Sequence, residues 1–386
     1  MNLKFHASLL FLGLCISAIA QQSQLQINPN IVLPKDSILN RSLISSLNDF
    51  LASAQKANNE NQYVLESEKA ETFVLLDEIH GIEKSKKFND DYFFKPYLTN
   101  VVLLNDKQYS VQISYVGLHE GAAILRGSFE LIAYQSEKSF IFSSPLKLNT
   151  KKWKAKQIGS VIFHYPYTIN KTDAKKFSEL VSLYDRKLNS NNKTTELYCC
   201  ENLTELQRLL GIQYKLDYNG RQFGSLNSSC GNKEVIVLGN TKINELDSHD
   251  LWHERLSLVI PRSKVNKPVD EGCAYLYGGS WGLSWTEIYT EFKRQIASNK
   301  NTNWAEIKEN PVFFTTKEFK NSADYIINAL LVQKIEREKG FAGVWELLNC
   351  GKYEKGNENY YKVLEKLTGI TKQNYNDKIW ALINNH

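Results

Sequence analysis

The stretch Ser248-His-Asp-Leu-Trp-His-Glu-Arg-Leu256 carries two histidines four residues apart, His249 and His253. On a helix that spacing puts both imidazoles on one face, about 40° apart in projection, within reach of a single ion. Glu271 follows eighteen residues beyond His253, at the head of a second helical segment, Val269-Asp-Glu-Gly-Cys-Ala-Tyr-Leu-Tyr-Gly-Gly-Ser280. Neutral imidazoles and a carboxylate need lose no proton at neutral pH, and two histidines with one glutamate leave a fourth position open. That donor set suits a catalytic zinc. The loop from Pro261 to Pro268 turns the chain and lets the next helix bring Glu271 back toward the histidines.

The pattern resembles the gluzincin metallopeptidases (peptidase MA-like), whose signature is His-Glu-x-x-His with a glutamate ligand on a following helix. The match covers His249, His253 and Glu271, and Glu271-Gly272-x-Ala274 resembles the family's Glu-Gly-x-Ala around its third ligand. The resemblance implies zinc as cofactor, a peptide or protein as substrate, and hydrolysis of the peptide bond. Two positions depart from it. Asp250 stands where the family has its catalytic glutamate, so the motif reads HDxxH. Tyr275 stands where family members often carry an acid that bonds a ligand histidine, and its hydroxyl can accept the same bond. By the same resemblance a tyrosine or histidine of the helical tail is expected at the oxyanion, with Tyr325 and Tyr360 the nearest.

Zinc lowers the pKa of its water from about 15.7 to about 7 and polarises a carbonyl, so a neighbouring carboxylate must take a proton and pass it to the leaving amine. Measured from the metal direction on a helical wheel, Asp250 sits about 80° away and Glu254 about 120° away. Asp250 is the better-placed base. It is one methylene shorter than glutamate, and a misplacement of about 1 Å can cost about a hundredfold in rate. The sequence therefore predicts a zinc metallopeptidase-like protein with weakened activity. The alternative is an inactive peptidase-like binding or structural protein that keeps the fold but not the reaction. Glu254 reads as a surface charge or as a partner of the ligands.

Upstream of the histidines, the pattern predicts strands at Ser160–Tyr165, Leu197–Cys200 and Glu234–Gly239, with helices at Asp173–Leu188 and Leu203–Leu210. This αβ run resembles the upper part of a gluzincin domain, with Glu234–Gly239 as the sheet edge that would hold an extended peptide. Downstream, helices are predicted at Thr286–Ala297, Trp304–Asn310, Ser322–Lys339 (stopped by Gly340), Phe341–Leu348, Asn359–Leu367 and Asn374–Ile383. They resemble an all-helical lower part. Trp281 and Trp285 follow Glu271 on a Gly-rich segment and either line a pocket or pack in the core.

The amino-terminal half reads differently. Asp36 caps a helix over Leu39–Leu51, a second helix covers about Ser67–Ile82, and period-two patterns predict strands at Tyr97–Leu104, Gln108–Val116, Ala122–Tyr134 and Phe140–Ser143. Helices followed by antiparallel strands suggest a small α+β domain of the NTF2 or cystatin kind over 36–155, ahead of the gluzincin-like domain over 156–386. The chain as a whole is α+β. Its isolated histidines, His80, His119 and His164, read as structural or surface groups.

Residues 1–20 read as a secretory signal: Lys4, an apolar run from Ala7 to Ile16, and the small-x-small site Ala18-Ile-Ala20. Residues 21–35 read as a polar leader. The mature protein is thus expected to be periplasmic or extracellular, and no later run of about 18 apolar residues offers a membrane anchor. The net charge of +5 over 386 residues is spread out, and the Lys147–Lys156 run reads as a solvated connector, so no nucleic-acid partner is expected. Five cysteines remain after the signal, an odd number. Either Cys230 pairs with Cys199 or Cys200, and Cys273 with Cys350, or most are small buried residues. Cys273, two residues from Glu271, points away from any site Glu271 forms.

Overall fold

A computed structural model describes residues 24–137, 139–190, 193–240, 242–243, 247–297, 299 and 301–385. The expected signal segment lies outside the described residues. The protein is mixed α+β and divides into two compact units, residues 1–145 with 211–219, and residues 146–210 with 220–386. The first unit thus ends at Pro145, short of the expected 155, and regains a short piece of chain later.

In the first unit, β1 (Gln26–Ile27) runs parallel to β2 (Lys95–Asn105). Strands β2, β3 (Gln108–His119), β4 (Ala122–Gln135) and β5 (Phe140–Ser143) form an antiparallel meander. The expected polar leader thus contributes a short strand, Gln26–Ile27. Along β3, Tyr109, Val111, Ile113 and Tyr115 are buried, while Ser114 and Gln112 on the other face donate to Ser128. This alternation gives the sheet one apolar face. Helices α1 (Ser37–Ser53) and α2 (Lys69–Ile79) pack against β5, with Phe50 and Phe142 at 5.0 Å. Asp36 caps α1 by accepting from the Ile38 and Leu39 amides at 2.8 and 3.0 Å. The returning segment, β9 (Ile212–Lys215), pairs with β4.

The second unit opens with α3 (Leu146–Asn149) and β6 (Lys154–Ile158). Then follow β7 (Val161–Tyr165), α4 (Lys171–Leu188), β8 (Thr194–Cys200), α5 (Leu203–Leu210), β10 (Gly224–Cys230) and β11 (Lys233–Gly239). The sheet order is β10-β11-β8-β7-β6, parallel across β11-β8-β7 and antiparallel at both ends. The segment Glu234–Gly239 is therefore central, not the edge expected from the sequence. Its apolar run Val235–Leu238 is buried, as a strand covered on both faces must be. The edge is β10, whose Gly-Ser-Leu-Asn-Ser-Ser-Cys composition reads as loop. The basic connector likewise holds an exposed edge strand, β6.

Beyond the sheet come α6 (Ser248–Ser257), α7 (Lys267–Gly278), α8 (Trp285–Ile296) and α9 (Trp304–Glu309). Strands β12 (Phe313–Thr316) and β13 (Phe319–Ser322) then form a hairpin before α10 (Ala323–Leu348), α11 (Glu358–Thr368) and α12 (Tyr375–Asn384). The hairpin corrects the expectation of an all-helical lower part. Its residues are short and mixed in polarity, and Pro311 and Lys317 hide it as loop. Gly340 (φ 68°, ψ −178°) breaks α10 rather than ending it, because Phe341–Leu348 resumes the helix at once.

Cys199, Cys200, Cys230, Cys273 and Cys350 are all free thiols, so neither disulfide considered above forms. Burial raises Cys350 to about 11 and lifts the Cys199, Cys200 and Cys273 thiols as well, which keeps them protonated and unreactive. Among the described residues no helix is long and apolar enough to cross a membrane.

Candidate metal centre

Helix α6 is fixed before its histidines do anything. Asp247 caps it by accepting from the His249 amide at 2.9 Å. Leu251, Trp252 and Leu256 are buried. Arg255 is fully buried; its Nε and Nη2 donate to Asp185 of α4 at 2.7–2.8 Å, and its Nη1 to Thr195 of β8 at 3.1 Å and to Glu234 of β11. One guanidinium thus ties α6 to a helix and two strands.

Helix α7 starts with Pro268 in its first turn and lies against α10. Gly272 permits the contact: a Cβ there would sit 2.7 Å from Asn328. Asn328 is held in turn by its bond to the Asp324 carbonyl (2.7 Å) and by the Tyr360 hydroxyl (3.0 Å). Lys308 pairs with Asp324 at 3.1 Å inside the same buried cluster. Tyr360 is therefore a packing residue, not an oxyanion donor. The glycine of Glu-Gly-x-Ala earns its place sterically, by letting the helix that carries Glu271 seat closely.

Those two helices bring the three expected residues together. His249 Nε2 and His253 Nε2 lie 3.1 Å apart. Glu271 Oε2 is 3.4 Å from His249 Nε2 and 3.9 Å from His253 Nε2. Four ligands at 2.0–2.1 Å around tetrahedral zinc stand about 3.3 Å from one another, so the three atoms already have roughly the required spacing. They form the one group of three potential metal ligands found among the described residues.

The outer nitrogens decide what the inner ones can be. His249 Nδ1 is 2.8 Å from the Gly279 carbonyl, which can only accept. His253 Nδ1 is 3.0 Å from both carboxylate oxygens of Asp270. Both Nδ1 atoms therefore carry hydrogen, and in the neutral rings both Nε2 atoms are bare lone pairs. Two lone pairs and a carboxylate then converge with no donor among them, which requires a cation or an added proton. The proton affinities record this. Burial pushes His249 down, but its bonds to Glu271 and Gly279 outweigh that and leave it above the ordinary imidazole value. Burial pushes Glu271 up, yet the His249 bond and the two imidazoles hold it below the usual carboxylate range.

The acceptor behind His253 is Asp270, not the Tyr275 that the sequence suggests. The Tyr275 hydroxyl is instead held by the Ser322 backbone and the Ser280 side chain, with its ring 5.5 Å from that of His249. Asp270 also accepts from Trp252 Nε1 at 2.9 Å, which fixes its carboxylate. The acid lies one residue before Glu271 rather than four after it, so it meets His253 from the other side of α7.

Glu254 is half-buried rather than a surface charge, with its Oε2 inaccessible. It neighbours Ser225 (3.5 Å) and Asn227 of the edge strand β10. Burial and the Asp250 charge raise it to about 7. It lines a cleft of about 510 Å³ with Asp250, His253, Asp270 and Glu271. A smaller cavity of about 300 Å³ is lined by His249, Asp250, Glu271, Tyr275, Trp281 and Tyr325, among others. Asp250 borders both spaces. Asp250 is exposed, and partial desolvation with the charge of Asp247 raises its carboxyl above the ordinary value, against the pull of the two histidines. Trp285 stacks on Tyr289 at 5.2 Å and packs toward the core, whereas Trp281 is 60% exposed at the smaller cavity.

Comparison with known proteins finds no family model, no curated protein and no solved structure that matches this chain.

Proposed function

We propose that this protein is an exported zinc metallopeptidase-like hydrolase with a gluzincin-type site, in which His249, His253 and Glu271 hold the metal. The observation that carries the reading is the convergence of three potential ligand atoms, 3.1–3.9 Å apart, with the outer nitrogens of both histidines bonded to the Gly279 carbonyl and to Asp270. Bound zinc supplies a Lewis acid and makes water acidic enough to attack near neutral pH.

The chain's own residues do the rest. Asp270 and the Gly279 carbonyl hold the imidazoles in place and make them stronger donors. Asp250 is the base: it lines both cavities that reach the cluster, and its raised proton affinity suits a group that accepts a proton from water and returns it to a leaving amine. Glu254 sits deeper, against β10, and shapes the wall of the larger cleft.

The length of Asp250 favours a second reading, a protein that keeps the metal and the cleft but turns substrate over slowly or not at all. One experiment separates them. The zinc-loaded protein is assayed on an unfolded casein-type substrate, with and without a chelator, beside Asp250→Ala and Asp250→Glu. The enzyme reading expects chelator-sensitive cleavage that falls by about 10²–10⁴ in Asp250→Ala. No cleavage by the native chain, with activity appearing in Asp250→Glu, marks the second reading. Cleavage unaffected by both the chelator and Asp250→Ala contradicts the enzyme reading.

A further inference from the structure

The turn after Glu271's helix is built in an unfavourable way, and the residue it displays faces the candidate site. Ser280 and Leu283 exchange both backbone bonds, at 3.0 and 2.9 Å. The two residues between them, Trp281 and Gly282, both have positive φ, 53° and 74°. That is the I′ pattern, in which the first central position favours Asn, Asp or Gly. A bulky aromatic in left-handed backbone is strained, and such strain is a mark of functional positions. Packing does not explain it, because Trp281 is 60% exposed. The same turn is tied to the metal-ligand set: Gly279, just before it, accepts from His249 Nδ1 at 2.8 Å.

Trp281 does not stand alone. Its ring lies parallel to that of Phe319, 5.6 Å away at 3°. Phe313, 65% exposed on the paired strand β12, lines the same 300 Å³ cavity as Trp281, His249 and Glu271. The hairpin β12–β13 thus supports one aromatic face and supplies a second.

We infer that Trp281 and Phe313 form a specificity pocket that takes a large apolar, preferably aromatic, side chain of an extended peptide lying across the His249–His253–Glu271 site. The inference rests on the proposed peptide substrate but not on turnover. Trp281 backed by Phe319, with Phe313 nearby, gives this cavity an apolar aromatic side, while Asp247, Ser280, Lys320 and Ser322 line the rest and can meet the main chain of a peptide. Continuity with the cavity holding His249 and Glu271 places that guest beside the reacting bond.

The test compares binding of acetyl-Ala-Ala-Phe-Ala-Ala-amide with its all-alanine counterpart, by calorimetry on the full chain with and without zinc. The phenylalanine peptide is expected to bind about 10-fold tighter or more. Trp281→Asn, which suits the turn, is expected to cut that preference below about threefold while leaving the melting temperature unchanged or raised. Phe313→Ser, at an exposed position, is expected to weaken the preference as well and decides the matter if Trp281→Asn folds poorly. Equal binding of the two peptides by the native chain overturns the inference, as does a preference that survives both variants. Competition by maltopentaose with no peptide preference would replace the guest with a sugar and equally overturn it. Failure of zinc to bind, with the aromatic preference intact, removes the metal reading and leaves this pocket standing.

Discussion

Helix α6 carries two polar clusters on opposite sides, and they are finished differently. On the inner side Arg255 meets Asp185 and Glu234, so two buried acids have a cation supplied by the chain itself. On the cleft side His249, His253 and Glu271 converge with every outer hydrogen-bonding position satisfied and no cation of the chain's own at their centre. Buried charge is costly unless it is compensated. The inner cluster is complete as folded and serves to hold the helix; the outer one becomes complete only when something positive joins it. The contrast sets a self-sufficient cluster beside one open to a cation on a single ten-residue helix.

The largest effect is expected where the inner cluster is broken. Arg255→Met leaves Asp185 and Glu234 buried with no counter-charge and is expected to destabilise the protein by about 3–5 kcal/mol. Thermal or urea unfolding checks this, and a loss below about 1 kcal/mol would remove the distinction between the two sides.

Glu254 tests the cleft side through pH. Its proton affinity is raised from 4.5 to about 7 in the folded protein, so the unfolded chain ionises first as pH rises. Stability is lost as the pH climbs from about 4.5 to about 7, and the loss persists above that. Glu254→Gln is expected to unfold like the native chain near pH 4 and to be about 1–3 kcal/mol more stable at pH 8. Equal stabilisation at both pH values would mean that Glu254 is not held in a protonated state by burial.

A smaller change sharpens the role of Asp270. Asp270→Asn keeps a hydrogen-bond acceptor but removes the charge behind His253, and is expected to weaken zinc binding by about tenfold. Competition with a chromophoric chelator measures it, and an unchanged affinity would make Asp270 a partner of Trp252 alone.

What was legible in the sequence was whatever depended on regular spacing. His249 and His253 share a face because they are one helical turn apart, and the alternation along β3 announces its buried side. What was hidden depended on tertiary company. Strand β10 and the hairpin β12–β13 are polar or short, and they gain order only from the strands they pair with. The fate of Glu254 could not be read from α6 alone, because burial comes from Ser225 and Asn227 on β10, more than 25 residues upstream. Asp270 stood in plain view beside Glu271, but its partner depends on the crossing of α6 and α7. Trp281 was identifiable as exposed or buried only once the turn at Ser280–Leu283 was known.

Zinc stoichiometry tests most directly whether a cation sits at the meeting point of His249, His253 and Glu271. Metal analysis of the stripped and zinc-reloaded chain is predicted to give one tightly held zinc per molecule. That zinc is lost in His249→Ala and in His253→Ala, with affinity falling as the pH drops through the raised proton affinity of His249. A chain that takes up no zinc, or holds the same amount after either histidine is removed, contradicts it.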